Sequence, residues 1–105
     1  MKLVIAIVNQ DDSAGLTHAL TAAGFSSTSI DSTGQFLGSG NVTVLVGVDE
    51  EKVSRVLEII RASCHRRSAV TDGDRDFGTY PGQPVEVVVG GATIFVVDVE
   101  RFERV

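Results

Sequence analysis

A glycine-rich segment, residues 33–41, carries the residue types that could bind an anionic or aromatic ligand. It reads Thr-Gly-Gln-Phe-Leu-Gly-Ser-Gly-Asn, so Phe36 and Leu37 stand among three glycines. Glycines allow backbone N–H groups to converge on an anion, and a phenyl ring can stack on a flat base. The alternative is a long connection in which Phe36 and Leu37 only pack against a neighbouring subunit. Short glycine patterns are weak signals, and spacing alone favours this alternative.

An acidic segment near residue 72 has the outline of a calcium loop without its essential residues. Asp72, Asp74 and Asp76 have the spacing of the first ligands, but Phe77 stands where such a loop needs glycine. Gln83 stands where a bidentate glutamate belongs. A solvated acidic loop is the better interpretation, and we expect no metal site there.

The histidines and the cysteine also favour structural roles. His18 and His65 fall on different predicted helices without a pattern of nearby ligands, so we expect both to be exposed. Cys64 precedes His65 directly, and consecutive helical residues point in different directions, which disfavours a nucleophile pair. We expect a partly buried thiol at a helix end. Nothing else supplies a credible acid and base, so the sequence predicts a binding protein without a cofactor, not an enzyme.

Composition limits the partners of the chain. Its 105 residues suffice for one domain with a single core, so residues 1–105 are expected to form a single domain. The formal net charge of -5 disfavours binding to nucleic acid. The apolar run Leu3–Val8 is shorter than the roughly twenty residues that cross a bilayer, so no membrane span is expected. The lone Cys64 cannot form an intramolecular disulfide, which fits a cytoplasmic protein.

Hydrophobic patterning predicts five strands and two helices that would position these residues. The first helix has a cap among Asp11, Asp12 and Ser13 and stops at Gly24. The second follows the acidic residues 49–51. Its predicted inner face is Val53, Val56, Leu57 and Ile60, and it ends near residues 64–67. The predicted strands are Lys2–Val8, Phe25–Ser32, Asn41–Val48, Val85–Val89 and Thr93–Val97.

The remaining segments are predicted to be irregular. Residues 68–84 lack periodicity and are rich in Asp, Gly and Pro, which indicates a long surface loop. Residues 90–92, Gly-Gly-Ala, indicate either a hairpin or a bulged continuation of the strand. Residues 99–105 are predicted to form a turn or short helix with Phe102 directed inward.

The order of these elements predicts an α+β fold, a ferredoxin-like βαββαβ arrangement with an extra C-terminal strand. The two helices would cover one face of the sheet. Because the strands carry apolar residues on both faces and no further helix is predicted, the second face requires another cover. We expect oligomerisation to provide it.

Four separated stretches resemble the PII-like cyclic-di-AMP receptor family. They are residues 2–8, KLVIAIV; residues 32–37, STGQFL; residues 39–43, SGNVT; and residues 85–96, VEVVVGGATIFV. The closing residues 98–102, DVERF, are similar to the end of that family as well. The resemblance spans nearly the whole chain. It implies a ferredoxin-like subunit, a homotrimer and ligand sites in the clefts between neighbouring subunits.

The resemblance also implies a set of ligand-binding residues. Thr28 and Asn41 match family positions whose neutral groups can contact base edges or phosphate oxygens, and Phe36 and Leu37 match positions that would sandwich adenine. Gly47 matches a position where backbone and ligand approach closely. The complete predicted set is Ser26, Ser27, Thr28, Gln35, Phe36, Leu37, Asn41 and Gly47.

Three positions depart from the family pattern and leave the ligand open. Ser26 replaces a basic residue, Gln35 a glycine and Gly38 an arginine. The resemblance implies a signal-transduction receptor that binds cyclic-di-AMP between subunits and changes the order of its loops to regulate an unknown protein partner. One alternative is a trimer that has lost cyclic-di-AMP binding and senses another adenine nucleotide or an anion. The other is a structural adaptor.

Overall fold

The computed structural model describes residues 1–31, 40–71 and 85–105. The helices are α1, Gln10–Ala22, and α2, Val53–Ser63. A 3-10 turn, Glu50–Lys52, leads into α2. The strands are β1, Lys2–Asn9; β2, Thr28–Asp31; β3, Asn41–Val48; β4, Arg66–Thr71; β5, Val85–Gly90; and β6, Ala92–Asp98.

A four-stranded antiparallel sheet with the order β2-β3-β1-β6 forms the centre of the fold. Strand β1 is the inner strand that pairs with β6 on one side and β3 on the other. Both helices pack on one face of this sheet, as the contacts of α1 with β1 and β3 and of α2 with β1 show. The predicted α+β, ferredoxin-like class is therefore confirmed.

The strands outside the core differ in detail from the sequence prediction. The last strand, β6, is the fourth strand of the central sheet, and the two strands outside that sheet are β4 and β5, which pair with each other. The predicted loop 68–84 is wrong for residues 68–71, because they belong to β4. Gly91, at φ 80°, separates β5 from β6, and the two strands pair with different partners. The hairpin alternative for residues 90–92 is therefore wrong.

The core lies between the helices and one face of the sheet. Strand β3 shows the expected alternation, with Val42, Val44, Val46 and Val48 buried and the intervening residues half-buried or exposed. Other buried residues come from β1 and both helices. The core comprises Val4, Ala6, Val8, Leu16, Leu20, Val42, Val44, Val46, Val48, Val56, Ile59, Ile60 and Cys64.

The opposite face of the sheet is apolar and uncovered in the single chain. Register places Leu3, Ile5, Leu45, Phe95, Val97 and Ile30 together on this surface, which we call the open face. Ile30, Phe95 and Val97 are 48%, 46% and 42% exposed. Large contiguous apolar patches of this kind mark interaction surfaces.

Helix α1 has defined signals at both ends. Asn9 is its N-cap, since the Asn9 side chain accepts a hydrogen bond from the backbone N–H of Asp11 at 2.8 Å. The predicted cap among residues 11–13 is wrong because the helix begins earlier, directly after β1. The predicted stop at Gly24 is confirmed, with φ at 91°. The N–H of Gly24 donates to Thr21 and that of Phe25 to Leu20, which is the Schellman arrangement.

Helix α2 has the predicted inner face. Val56 and Ile60 are buried, Val53 and Leu57 pack against the core, and Ile59 joins them. Helix α2 starts at Val53. Of the acidic residues before it, Asp49 is the N-cap of the 3-10 turn, and Glu50 and Glu51 lie within that turn. Cys64 is the C-cap of the helix, as the predicted helix-end position requires, but it is 3% exposed and so more deeply buried than the partly buried thiol predicted.

The C-terminal residues 99–105 contain neither helix nor strand. The prediction that Phe102 points inward is wrong, since it is 64% exposed. Beyond β6 the chain runs along the end of the sheet, where Val99, Phe102 and Arg104 line a surface cavity. We call residues 99–105 the tail.

Two glycine-to-alanine substitutions, one inside α1 and one just after its end, should have opposite effects on stability. Gly24→Ala forces a side chain into the left-handed region and should lower the free energy of unfolding by about 1–2 kcal/mol. Gly15→Ala, inside the helix with open space around its added methyl, should raise it by about 0.5–1 kcal/mol. Urea denaturation followed by circular dichroism measures both. Equal effects of the two variants would contradict the assigned helix end.

Candidate functional site

A cavity of about 350 Å³ lies at the end of the open face where β1 begins and β3 ends. This volume is near the low end of the range of small-molecule sites. Three parts of the chain surround its floor: the amino terminus, the connection from α1 to β2, and the tail. Its lining residues are Met1, Leu3, Ser26, Ser27, Thr28, Leu45, Gly47, Val99, Phe102 and Arg104.

The floor of the cavity consists of sheet residues on the open face. Leu3 lies opposite Gly47 in the β1–β3 register, and Thr28 lies opposite Leu45 in the β2–β3 register. Residues directly opposite in an antiparallel pair share a face, so Leu3, Thr28 and Leu45 point to the same side of the sheet as the open position above Gly47. Because Gly47 has no side chain, the space above it stays open, and a Cβ built there meets no atom within 4 Å.

One wall comes from the segment that follows α1. The Schellman stop at Gly24 turns the chain toward the sheet, and Phe25 packs against the core. Ser26, Ser27 and Thr28 then pass along the cavity before β2 pairs with β3. Each hydroxyl can donate one hydrogen bond and accept others, so this wall suits a ligand with phosphate oxygens or base edges.

The opposite wall comes from the tail, which is held against the start of β1. Lys2 donates a hydrogen bond to the carboxylate of Asp98, its partner in the β1–β6 register. The N–H of Val99 donates to the carbonyl oxygen of Met1 at 3.2 Å, which extends the ladder by one step. Lys2 also lies 3.8 Å from the carboxylate of Glu50.

The Lys2–Asp98 pair shifts both side chains toward their charged forms. The hydrogen bond from Lys2 lowers the pKa of Asp98 below its ordinary value of 3.8, and the charge of Lys2 acts in the same direction. The hydrogen bond to Asp98 raises the pKa of Lys2 above 10.5. The pair therefore stays ionised over the physiological pH range.

A second cavity of about 550 Å³ adjoins the first. It lies between the end of α1 and the start of α2, and the two cavities share Met1, Ser26 and Gly47. Its charged side chains are Asp49, Glu51, Lys52 and Arg55, so acidic and basic groups balance. Arg55 already pairs with Glu58 at 3.2 Å.

The structure brings together four of the eight residues predicted from the sequence. Ser26, Ser27, Thr28 and Gly47 line the first cavity, although they come from two separated segments. Asn41 is at the other end of β3, about 20 Å from Gly47 at the usual rise of a strand. The other predicted positions, Gln35, Phe36 and Leu37, lie outside the described residues, as does Gly38.

Sequence reasoning missed the contribution of both chain ends. Met1, Val99, Phe102 and Arg104 line the cavity because β1 and β6 are antiparallel neighbours, so the amino terminus and the tail meet at one end of the sheet. The pattern of residues 93–105 showed a strand and a turn, but not which sheet edge the strand occupies.

The other candidate sites give no assembled chemistry within the described residues. His18 and His65 are both exposed, as predicted. The described part of the chain contains no group of three or more His, Cys, Asp or Glu that could hold a metal ion. The acidic residues Asp72, Asp74 and Asp76 lie outside the described residues.

Comparison with known proteins assigns the chain to a family. Residues 1–105 match the family described as cyclic-di-AMP receptor. The chain belongs to the cyclic-di-AMP receptor family. It is also similar to a crystal structure of a functionally unknown protein from Pediococcus pentosaceus, with 39% identity and a TM-score of 0.76. The likeness covers 99% of this chain and 96% of the other.

Membership of the cyclic-di-AMP receptor family supports a receptor role, which is a binding role. The match extends over the whole chain, so it includes the cavity, the tail and the open face. In the described residues of this family member, no helix is long and apolar enough to cross a membrane.

The anchor of the tail should show a defined pH dependence. Because the pKa of Asp98 is lowered in the folded chain, its contribution to stability is present above pH 3.8 and is lost as pH falls through the folded value. Asp98→Asn should therefore lower the Tm by a steady amount between about pH 5 and pH 9, and this difference should vanish at lower pH. Glu100→Gln removes a carboxylate from the tail and serves as the control. A Tm difference that persists at acid pH would contradict this role of the pair.

Proposed function

We propose that this protein is a cytoplasmic signal receptor that binds cyclic-di-AMP between the subunits of a homotrimer. The observation that carries the proposal is the cavity in which Ser26, Ser27, Thr28 and Gly47 meet, since these positions were expected to contact the nucleotide. Family membership supplies the ligand class. The cytoplasmic location rests on the lone Cys64, which has no possible intramolecular disulfide partner.

The cavity combines the two kinds of contact that a purine nucleotide needs. Leu3, Leu45 and Phe102 supply apolar surface against which a base can lie. Ser26, Ser27 and Thr28 supply hydroxyls for base edges or phosphate oxygens. A ligand of this chemistry is anionic and flat, and the residues present fit both properties.

A binding site between subunits accounts for the residues that one chain keeps apart. Asn41 lies about 20 Å from Gly47 along β3, so one copy cannot place both on one small ligand. A second copy packed against the open face could bring its own Asn41, and its residues 35–37, to the cavity. The exposed Ile30, Phe95 and Val97 provide apolar surface for that contact.

The proposed output is a change in the surface offered to a protein partner. Ligand binding would change the order of the loops predicted from the sequence, which include residues 33–40 and 72–84. A ligand shifts such an equilibrium only by its differential affinity for the two states. Partner binding should therefore depend on ligand, whereas a structural adaptor would bind its partner constitutively.

The oligomeric state can be tested with two neighbouring residues of β6. Phe95 lies on the open face and Val96, 43% exposed, lies on the opposite face. Phe95→Glu should convert the trimer to smaller species, because a buried carboxylate at an apolar contact costs several kcal/mol. Val96→Glu should remain trimeric. Light scattering after size-exclusion chromatography measures the mass, and a monomeric wild-type protein would refute the subunit-interface site.

The ligand can be tested by calorimetric titration with cyclic-di-AMP, with ATP and AMP alongside. Gly47→Leu should abolish binding, because its side chain would fill the cavity without meeting atoms of the fold near the added Cβ. Gly15→Leu makes the same change on α1, away from the cavity, and should leave binding intact. Thermal melting verifies that both variants fold.

The outcomes separate the candidate ligands. Absence of heat and of a thermal shift with wild-type protein at high micromolar cyclic-di-AMP would refute that ligand, although not the trimer. Binding of ATP or AMP alone would favour the alternative in which another adenine nucleotide is sensed, in keeping with the neutral Ser26 in the cavity. Unaltered binding by Gly47→Leu would place the site elsewhere.

A further inference from the structure

The tail brings a positive charge to the cavity from a part of the chain that the sequence pattern did not connect with ligand binding. Arg104 lines the cavity together with Val99 and Phe102. Among the described lining residues it is the only one with a charged side chain, and none of them is acidic. A guanidinium therefore lies beside hydroxyl and apolar groups in a chain whose formal net charge is -5.

Arg104 has no competing anion among the described residues. The neighbouring carboxylate of Glu103 accepts a hydrogen bond from Arg101 at 2.7 Å. Further ion pairs join Lys2 to Asp98 and Glu50, and Arg55 to Glu58. No ion pair joins Arg104 to another described residue, so its guanidinium donors are available to a ligand.

We infer that Arg104 binds the anionic group of the ligand and is the main charged determinant of its affinity. This inference rests on the proposed function and specifies its chemistry: a phosphate or phosphodiester held between the guanidinium of Arg104 and the hydroxyls of Ser26, Ser27 and Thr28. Arginine is suited to this role because its planar fork can donate two parallel hydrogen bonds to phosphate oxygens.

The position of Arg104 compensates for a charge that is missing at the other wall. Ser26 is neutral at a position where the sequence resemblance implies a basic residue, and Ser26 and Arg104 line the same cavity. The Lys2–Asp98 pair and the Val99–Met1 hydrogen bond hold the start of the tail beside β1. The positive charge thus reaches the cavity from the end of the chain instead of from the segment that follows α1.

Calorimetric titration of untagged full-length protein tests this role, because a tag would alter Met1 or extend the tail. The probes are cyclic-di-AMP, ATP, AMP and inorganic pyrophosphate, each at low and at high KCl concentration. For the best-binding probe, Arg104→Gln should weaken affinity by about tenfold to a hundredfold. Arg104→Lys, which keeps the charge, should retain much of the affinity. Arg61→Gln removes a cation from α2, outside the cavity, and is the matched control.

Salt provides a second readout that a merely structural role would not change. Affinity of the wild-type protein should fall as KCl increases, and this dependence should be weaker in Arg104→Gln. Equal weakening by Arg61→Gln and Arg104→Gln, or an unchanged salt dependence, would overturn the inference.

The results distinguish this inference from the proposed function. Binding of cyclic-di-AMP that is insensitive to Arg104→Gln would overturn the inference and support the receptor. Binding of ATP, AMP or pyrophosphate alone, with loss in Arg104→Gln, would support the inference and refute cyclic-di-AMP as the ligand. If the wild-type protein binds none of the four probes, both fail.

Discussion

The structure depends on one constraint: a four-stranded sheet with apolar residues on both faces has helices on only one of them. Burial of apolar surface stabilises by about 25 cal/mol per Å², so the exposed side chains of Ile30, Phe95 and Val97 represent a free energy that the single chain does not gain. The proposed trimer would recover it. The cavity lies at the end of this same face, so assembly and ligand binding would share the surface that α1 and α2 leave uncovered.

Topology explains why the cavity walls come from such distant parts of the sequence. β1 and β6 are antiparallel, which brings the amino terminus and the tail to one end of the sheet. β3 ends and β2 begins at that end too, because β1 pairs antiparallel with β3 and β3 with β2. The tail, Gly47 and the segment after α1 therefore meet without any long insertion. The exposed hydrogen bond between the charged side chains of Lys2 and Asp98 holds the start of the tail beside the start of β1.

Local patterns in the sequence were sufficient for most of the fold. The alternation of residues 41–48, the helical spacing of Val53, Val56 and Ile60, and the stop at Gly24 all act over short distances, and the structure contains each of them. β4 was missed because residues 66–71 pair outside the core sheet and show no apolar alternation. The prediction that Phe102 points inward was wrong because the burial of a side chain near the end of the chain depends on long-range packing. Periodicity along the sequence does not indicate that packing.

The residues of the candidate site likewise fall into two groups, those that the sequence identified and those that only the fold revealed. Resemblance identified Ser26, Ser27, Thr28 and Gly47, and the structure places them on one cavity, but Arg104 followed no motif and became visible only through the position of the tail. An acidic protein cannot attract an anionic nucleotide through its overall field, so the favourable charge must be local. In the proposed receptor, Arg104 on the tail would supply this local charge. Because the Lys2–Asp98 pair and the Val99–Met1 hydrogen bond hold the start of the tail beside β1, the same contacts would position Arg104 for the proposed ligand.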